Sequence, residues 1–141
     1  MDDAARLEVL IDRFSPKVAA EARAALAKAR ALMPGMLELA YDNYNALGIG
    51  FSHTEKASGT AISIVLYPRW VSLFFLRGAN LHDPHGLLVG KGSQVRHIVL
   101  DREDLLDDPR VLALIDQELN RSGRASNPLA ERRVMIMVCT P

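Results

Sequence analysis

The chain predicts an α+β domain: a two-layer fold with two N-terminal helices and one C-terminal helix packed on a mostly antiparallel sheet of about five to six strands. Three observations point there. Apolar residues recur at helical spacing near both ends of the chain and alternate through its middle. Helical and strand stretches are segregated, without the regular strand–helix–strand alternation of a parallel sheet. Hydrophobic residues make up 49% and charged residues 24% of the 141 residues, a composition that can bury a core without staples. Residues 1–141 read as one domain, with 125–141 a C-terminal extension that ends in a strand.

Leu7, Leu10, Ile11 and Phe14 mark a first helix from about Asp3 to Phe14. Ser15-Pro16 is an N-cap followed by proline at the first helical position. It opens a second helix with the small stripe Val18, Ala22, Ala25, Leu26, Ala29 and Met33, ended by Pro34-Gly35. The period then changes to two. Leu37, Leu39 and Tyr41 alternate with Glu38, Ala40 and Asp42 as in a half-buried strand. Leu47, Ile49 and Phe51 alternate with Gly48 and Gly50, whose missing side chains leave room for an aromatic neighbour or a backbone. A polar loop, residues 52–59, leads to a strand from Ala61 to Leu66, a turn at Tyr67-Pro68-Arg69-Trp70 and a strand from Trp70 to Leu76. Val95 to Leu100 is the next strand. Asp108-Pro109 starts a third helix with the face Val111, Leu112, Ile115 and Leu119, and Gly123 is placed to end it. Val134 to Val138 forms the last strand.

The strand from Trp70 is apolar on both faces: Trp70, Phe74 and Leu76 on one, Val71, Leu73 and Phe75 on the other. Antiparallel sheets with a solvated face normally alternate apolar and polar. A cover for the second face is therefore expected: the long segment Arg77 to Gln94, a ligand, or a second copy in a homodimer.

Several function classes are disfavoured. A balance of 17 basic and 17 acidic residues gives no basic footprint for nucleic acid. Cys139 is the single cysteine, so neither an intrachain disulfide nor a paired-cysteine metal motif is present. The N-terminal MDDAARLEVLIDRF is acidic and helical in period, unlike a signal peptide. Apolar runs fall far short of the ~20 residues that span a bilayer. A cytoplasmic protein without nucleic-acid or membrane partners is expected. No nucleophile–base pair or recognised metal motif supports an enzyme, and Cys139 has no His or Asp beside it in sequence.

Two sets of residues remain as candidates. Tyr44, Asn45 and Trp70 suit an apolar pocket with a few polar anchors, and Lys91, Arg96 and His97 suit the anionic part of a small ligand. Gly90-Lys91-Gly92-Ser93 is not a nucleotide loop, because the glycine spacing is one residue short and a strand follows. His82, Asp83 and His85 offer two imidazoles and a carboxylate to a metal, against the plainer reading of a surface turn. The acidic run Asp101, Glu103, Asp104, Asp107 and Asp108 offers oxygen ligands, or simply a solvated helix start.

The segments YDNYNALGIGF, YPRWVSLFFLRGANLHDPHGLL and GKGSQVRHIVL resemble the YdhG-like bacterial family of unknown function, in the same order and over roughly residues 15–125. The resemblance implies a compact α+β fold with helices flanking an antiparallel sheet. It supplies no catalytic residue. One branch of that family is proposed to act as frataxin-like iron chaperones, which present an acidic ridge. The first helix here interrupts Asp2, Asp3, Glu8 and Asp12 with Arg6 and Arg13. The expectation is a binding module without a cofactor, for a small anionic ligand or a protein partner. An intracellular iron carrier is the alternative.

Overall fold

A computed structural model describes residues 1–102, 104–121 and 130–137. Helices α1 (Asp3–Asp12) and α2 (Pro16–Leu32) precede strands β1 (Leu37–Asp42), β2 (Leu47–Ser52), β3 (Thr60–Leu66), β4 (Val71–Phe75) and β5 (Arg96–Val99). Helix α3 (Pro109–Arg121) and strand β6 (Arg133–Met137) follow. The sheet runs β5-β4-β3-β2-β1-β6, and every pairing is antiparallel except β1 with β6. This is the expected α+β architecture. The C-terminal extension supplies the sixth strand; Gly123, Val138 and Cys139 lie outside the described residues.

Local chemistry explains the helix starts. The Asp2 carboxylate accepts the Ala5 N–H at 2.8 Å, and the Ser15 hydroxyl accepts the Val18 N–H at 3.2 Å. Asp108 accepts the Arg110 N–H at 2.9 Å and so caps α3. Helix α2 ends beside Gly35, whose φ of 80° suits a residue without Cβ. Arg23 ties α2 back to α1, reaching Glu8 at 3.0 Å and Asp12 at 2.8 Å.

All three helices meet one face of the sheet. Leu7 and Ile11 of α1, Leu26 of α2, and Val111, Leu114 and Ile115 of α3 join Ile49, Phe51, Ile64, Leu73 and Phe75 in a single core. On α3 the buried position is Leu114, whereas Leu112 is only half-buried. The buried face is Val111, Leu114, Ile115 and Glu118, and the expected Leu119 is only partly buried against the core.

On β1 the apolar set faces away from this core. Ala40 pairs with Ile49 and Glu38 with Phe51, so Glu38 and Ala40 point toward the helices. Leu37, Leu39 and Tyr41 point to the opposite face. Leu39 is 0% exposed yet lies outside the main core. Gly50 stands beside Leu39 and Gly48 beside Tyr41, and the room at Gly50 is taken by the Thr60 and Ser63 side chains rather than by an aromatic or a backbone. A Cβ at Gly50 would sit 3.0 Å from Thr60 Cγ2, whereas one at Gly48 would meet nothing nearer than Val65 Cγ2 at 3.9 Å.

Across the sheet, Met135, Leu39, Gly50, Ser63, Phe74 and His97 form one row of this second face. Met137, Tyr41, Gly48, Val65, Ser72 and Val99 form the next. The long segment does not cover these rows. Leu81, Leu87 and Leu88 pack against the helix-side core instead. Val89 exchanges two backbone hydrogen bonds with His97, both 2.9 Å, at the outer edge of β5. Gln117 of α3 clamps the backbone of His82, accepting its N–H at 2.8 Å and donating to its carbonyl at 2.7 Å. The segment is a structural strap that protects a sheet edge.

Candidate functional site

The candidate ligand residues do not converge. Tyr44, 93% exposed with φ of 64°, and Asn45 sit in the β1–β2 turn. They border a shallow groove with Arg13, Phe14 and Pro68. Trp70 lies in the neighbouring β3–β4 turn, stacked on Tyr67 at a centroid distance of 4.9 Å. Lys91 and Arg96 belong to the opposite end of the sheet, where Arg96 pairs with Phe75 at the far end of β4. The Arg96 guanidinium is turned back on its own loop, donating to Gly92 O at 2.6 Å and Val95 O at 2.8 Å. His97 projects from the other face and stacks on Phe74 at 5.1 Å. Alternation along β5 necessarily separates neighbours 96 and 97.

Of the candidate metal residues, Asp83 is occupied with structure. Asp83 accepts the Leu87 N–H at 3.0 Å on one oxygen and the Leu88 N–H at 2.9 Å on the other. It thereby holds the turn that precedes Val89. Within the acidic run, Asp107 pairs with Lys28, and Arg102 approaches Asp104 at 3.8 Å and Asp108 at 3.5 Å. Arg110 also grips Asp108, at 2.8 Å, and holds its carboxyl well below its usual 3.8, at about 2. Among the described residues, no group of three or more His, Cys, Asp and Glu side chains is arranged to hold a metal ion.

One larger groove, about 500 Å³, does gather complementary chemistry. It runs between α2, the β3–β4 turn and the chain leaving β5. Ala20, Ala24 and Ala25 form an apolar floor, and Trp70 and Leu106 add apolar wall. Lys17, Lys28, Arg69 and Arg102 line it with the carboxylates of Glu21 and Asp101, and Lys28 and Arg102 also face Asp107 and Asp108. Lys17 lies 3.6 Å from Glu21, while Arg69 makes no ion pair among the described residues. Small side chains on α2 create the groove, because a helix faced with alanine leaves the space that larger residues would fill.

Of the residues singled out in the sequence, the groove holds Trp70 and Asp101. Lys17, Glu21, Ala24 and Lys28 were legible as one helix face at spacings of four, three and four. Nothing in the sequence brought that face against Arg69 and Arg102.

A smaller cavity of about 230 Å³ collects His53, Thr60, Arg77, Glu118 and Arg121. Its chemistry is already engaged: Arg121 grips the fully buried Glu118 through two bonds of 2.9 Å, and Arg77 donates to Ser58 O at 3.3 Å. No described helix is long and apolar enough to cross a membrane. No protein-family model, curated protein or solved structure matches this chain.

Proposed function

We propose that this chain is a non-enzymatic binding module for a small ligand that joins an anionic group to an apolar or planar body. The observation that supports it is the groove beside Trp70. Four cations surround an alanine floor there, and two of them, Arg69 and Arg102, carry the planar guanidinium that suits carboxylate or phosphate. The apolar floor and Trp70 suit the rest of the ligand. This reading keeps the aromatic anchor expected from the sequence and replaces Lys91 and Arg96 by Arg69 and Arg102. A cytoplasmic setting and kinship with the YdhG-like family belong to the same proposal. No specific observation favours the iron carrier over it.

Thermal unfolding with inorganic phosphate, citrate and salicylate tests the proposal. At a concentration about 100 times the dissociation constant, a ligand that binds only the folded state adds about 2.7 kcal/mol, which raises the melting temperature by several degrees. Trp70, the only tryptophan, reports the same event by fluorescence. Paired Arg69→Ala and Arg102→Ala substitutions should abolish the response, and Lys91→Ala should leave it intact. A protein stabilised by none of the three anions overturns the proposal.

A further inference from the structure

The groove beside Trp70 is nearly balanced in charge. Lys28 pairs with Asp107, Lys17 lies 3.6 Å from Glu21, and Arg102 approaches Asp104 at 3.8 Å and Asp108 at 3.5 Å. Three of the four cations that line it therefore already face a carboxylate. One charge of each sign is left over. Arg69 and Asp101 both line the groove, and neither makes an ion pair or a side-chain hydrogen bond among the described residues. The register of the sheet brings them to the same end. Leu100 donates its N–H to the Val71 carbonyl at 2.8 Å, continuing the pairing of β4 with β5 past Ser72 and Val99. The next residues outward are Trp70 and Arg69 on one segment and Asp101 on the other. Trp70 stacks on Tyr67 and still keeps 42% of its surface exposed.

A ligand that is only an anion suits part of this arrangement. Its charge meets Arg69 favourably, but Asp101 and Glu21 unfavourably. A ligand that also carries an ammonium turns the second contact into an attraction, and an ammonium gains further from the face of an indole ring. We propose that the groove takes a zwitterion of the amino-acid class, with its carboxylate on Arg69, its ammonium on Asp101 and an apolar side chain over Ala20, Ala24 and Ala25. This rests on the groove being the binding site, and it names which anion-bearing molecules the groove selects. Opposite charges presented from neighbouring segments match the adjacent carboxylate and ammonium of an α-amino acid.

Phenylalanine, 3-phenylpropionate and phenethylamine share a phenyl ring on a two-carbon chain and differ in the charges they carry. Calorimetric titration of each into the full chain tests the proposal. Phenylalanine should bind about 10-fold or more tightly than either of the others, the worth of one charge-assisted hydrogen bond. Asp101→Asn should bring phenylalanine and 3-phenylpropionate to within about twofold of each other, and Arg69→Ala should do the same for phenylalanine and phenethylamine. Lys91→Ala, at the other end of the sheet, should leave the preference unchanged. Circular dichroism verifies that the variants fold. If 3-phenylpropionate binds as well as phenylalanine, the zwitterion is overturned and an anion-binding groove still stands. If phenethylamine binds as well as phenylalanine, both readings fall. Absence of binding by all three also overturns the zwitterion, while the response to phosphate, citrate and salicylate decides the groove separately. So does a preference for phenylalanine that survives Asp101→Asn.

Discussion

The two faces of one sheet differ in almost everything except their backbone. On the helix side, Ile64, Leu73 and Phe75 are fully buried beneath three helices, and any charge brought there is matched. Glu38, 1% exposed, receives Arg30 at 2.8 and 3.0 Å and Arg132 at 2.9 and 3.3 Å. That pairing joins α2, β1 and the entry to β6. On the other side, Phe74 and Val65 are half-buried, and Ser72 buries a hydroxyl with no hydrogen-bond partner among the described residues. A face closed within the chain is chemically satisfied. The second face carries no Lys, Arg, Asp or Glu in its two central rows, and Leu39 and Ser72 are buried on it.

The largest expected contrast is between neighbours on β4. Phe75→Ala should cost about 3–5 kcal/mol by opening a cavity. Phe74→Ala should cost about 1 kcal/mol, the worth of its ring pair with His97. Equal losses in urea unfolding would mean that both faces are closed within one chain. A smaller effect is expected at the charge on the closed face. Glu38→Gln leaves Arg30 and Arg132 without their carboxylate and should cost about 2 kcal/mol, since charge-assisted hydrogen bonds are lost while both arginines keep some access to water. Unchanged stability would show that the arrangement is not held by that pairing.

The smallest effect lies at the margin, on the cap of α3. Asp108 titrates at about 2 in the folded chain against 3.8 ordinarily, because Arg110 favours its ionised form. The folded state is therefore favoured where Asp108 is charged. Its contribution is complete above 3.8 and disappears as pH falls through about 2. The melting-temperature difference between wild type and Asp108→Asn should be steady above about pH 5 and shrink across that window. A difference independent of pH would remove the carboxylate from the account.

Much of the fold was legible because caps and periods are local. Ser15-Pro16, Asp108-Pro109 and the alternations at 47–51 and 61–66 each declare an element within a few residues. The candidate site was less legible. Tyr44, Asn45 and Trp70 were grouped as aromatic and amide groups suited to a pocket beside the glycine strand, and the structure sets them in two turns at one end of the sheet without joining them in one groove. Lys91 and Arg96 were added as basic groups for the anionic part of the ligand, yet the antiparallel return of β5 carries them to the other end. The histidines at 82 and 85 suggested a ligand set, but backbone N–H groups of the strap claimed the carboxylate between them.

By itself, then, the sequence determined the helices, the strands, their order and the two-sided apolar character of β4, since each depends on residues near one another along the chain. The tertiary structure decided which face the helices took, that Glu38 would point into the core, and which cations would share a groove with Trp70. Those outcomes depend on strand register, which pairs residues far apart in sequence and turns every side chain over when it slips by one.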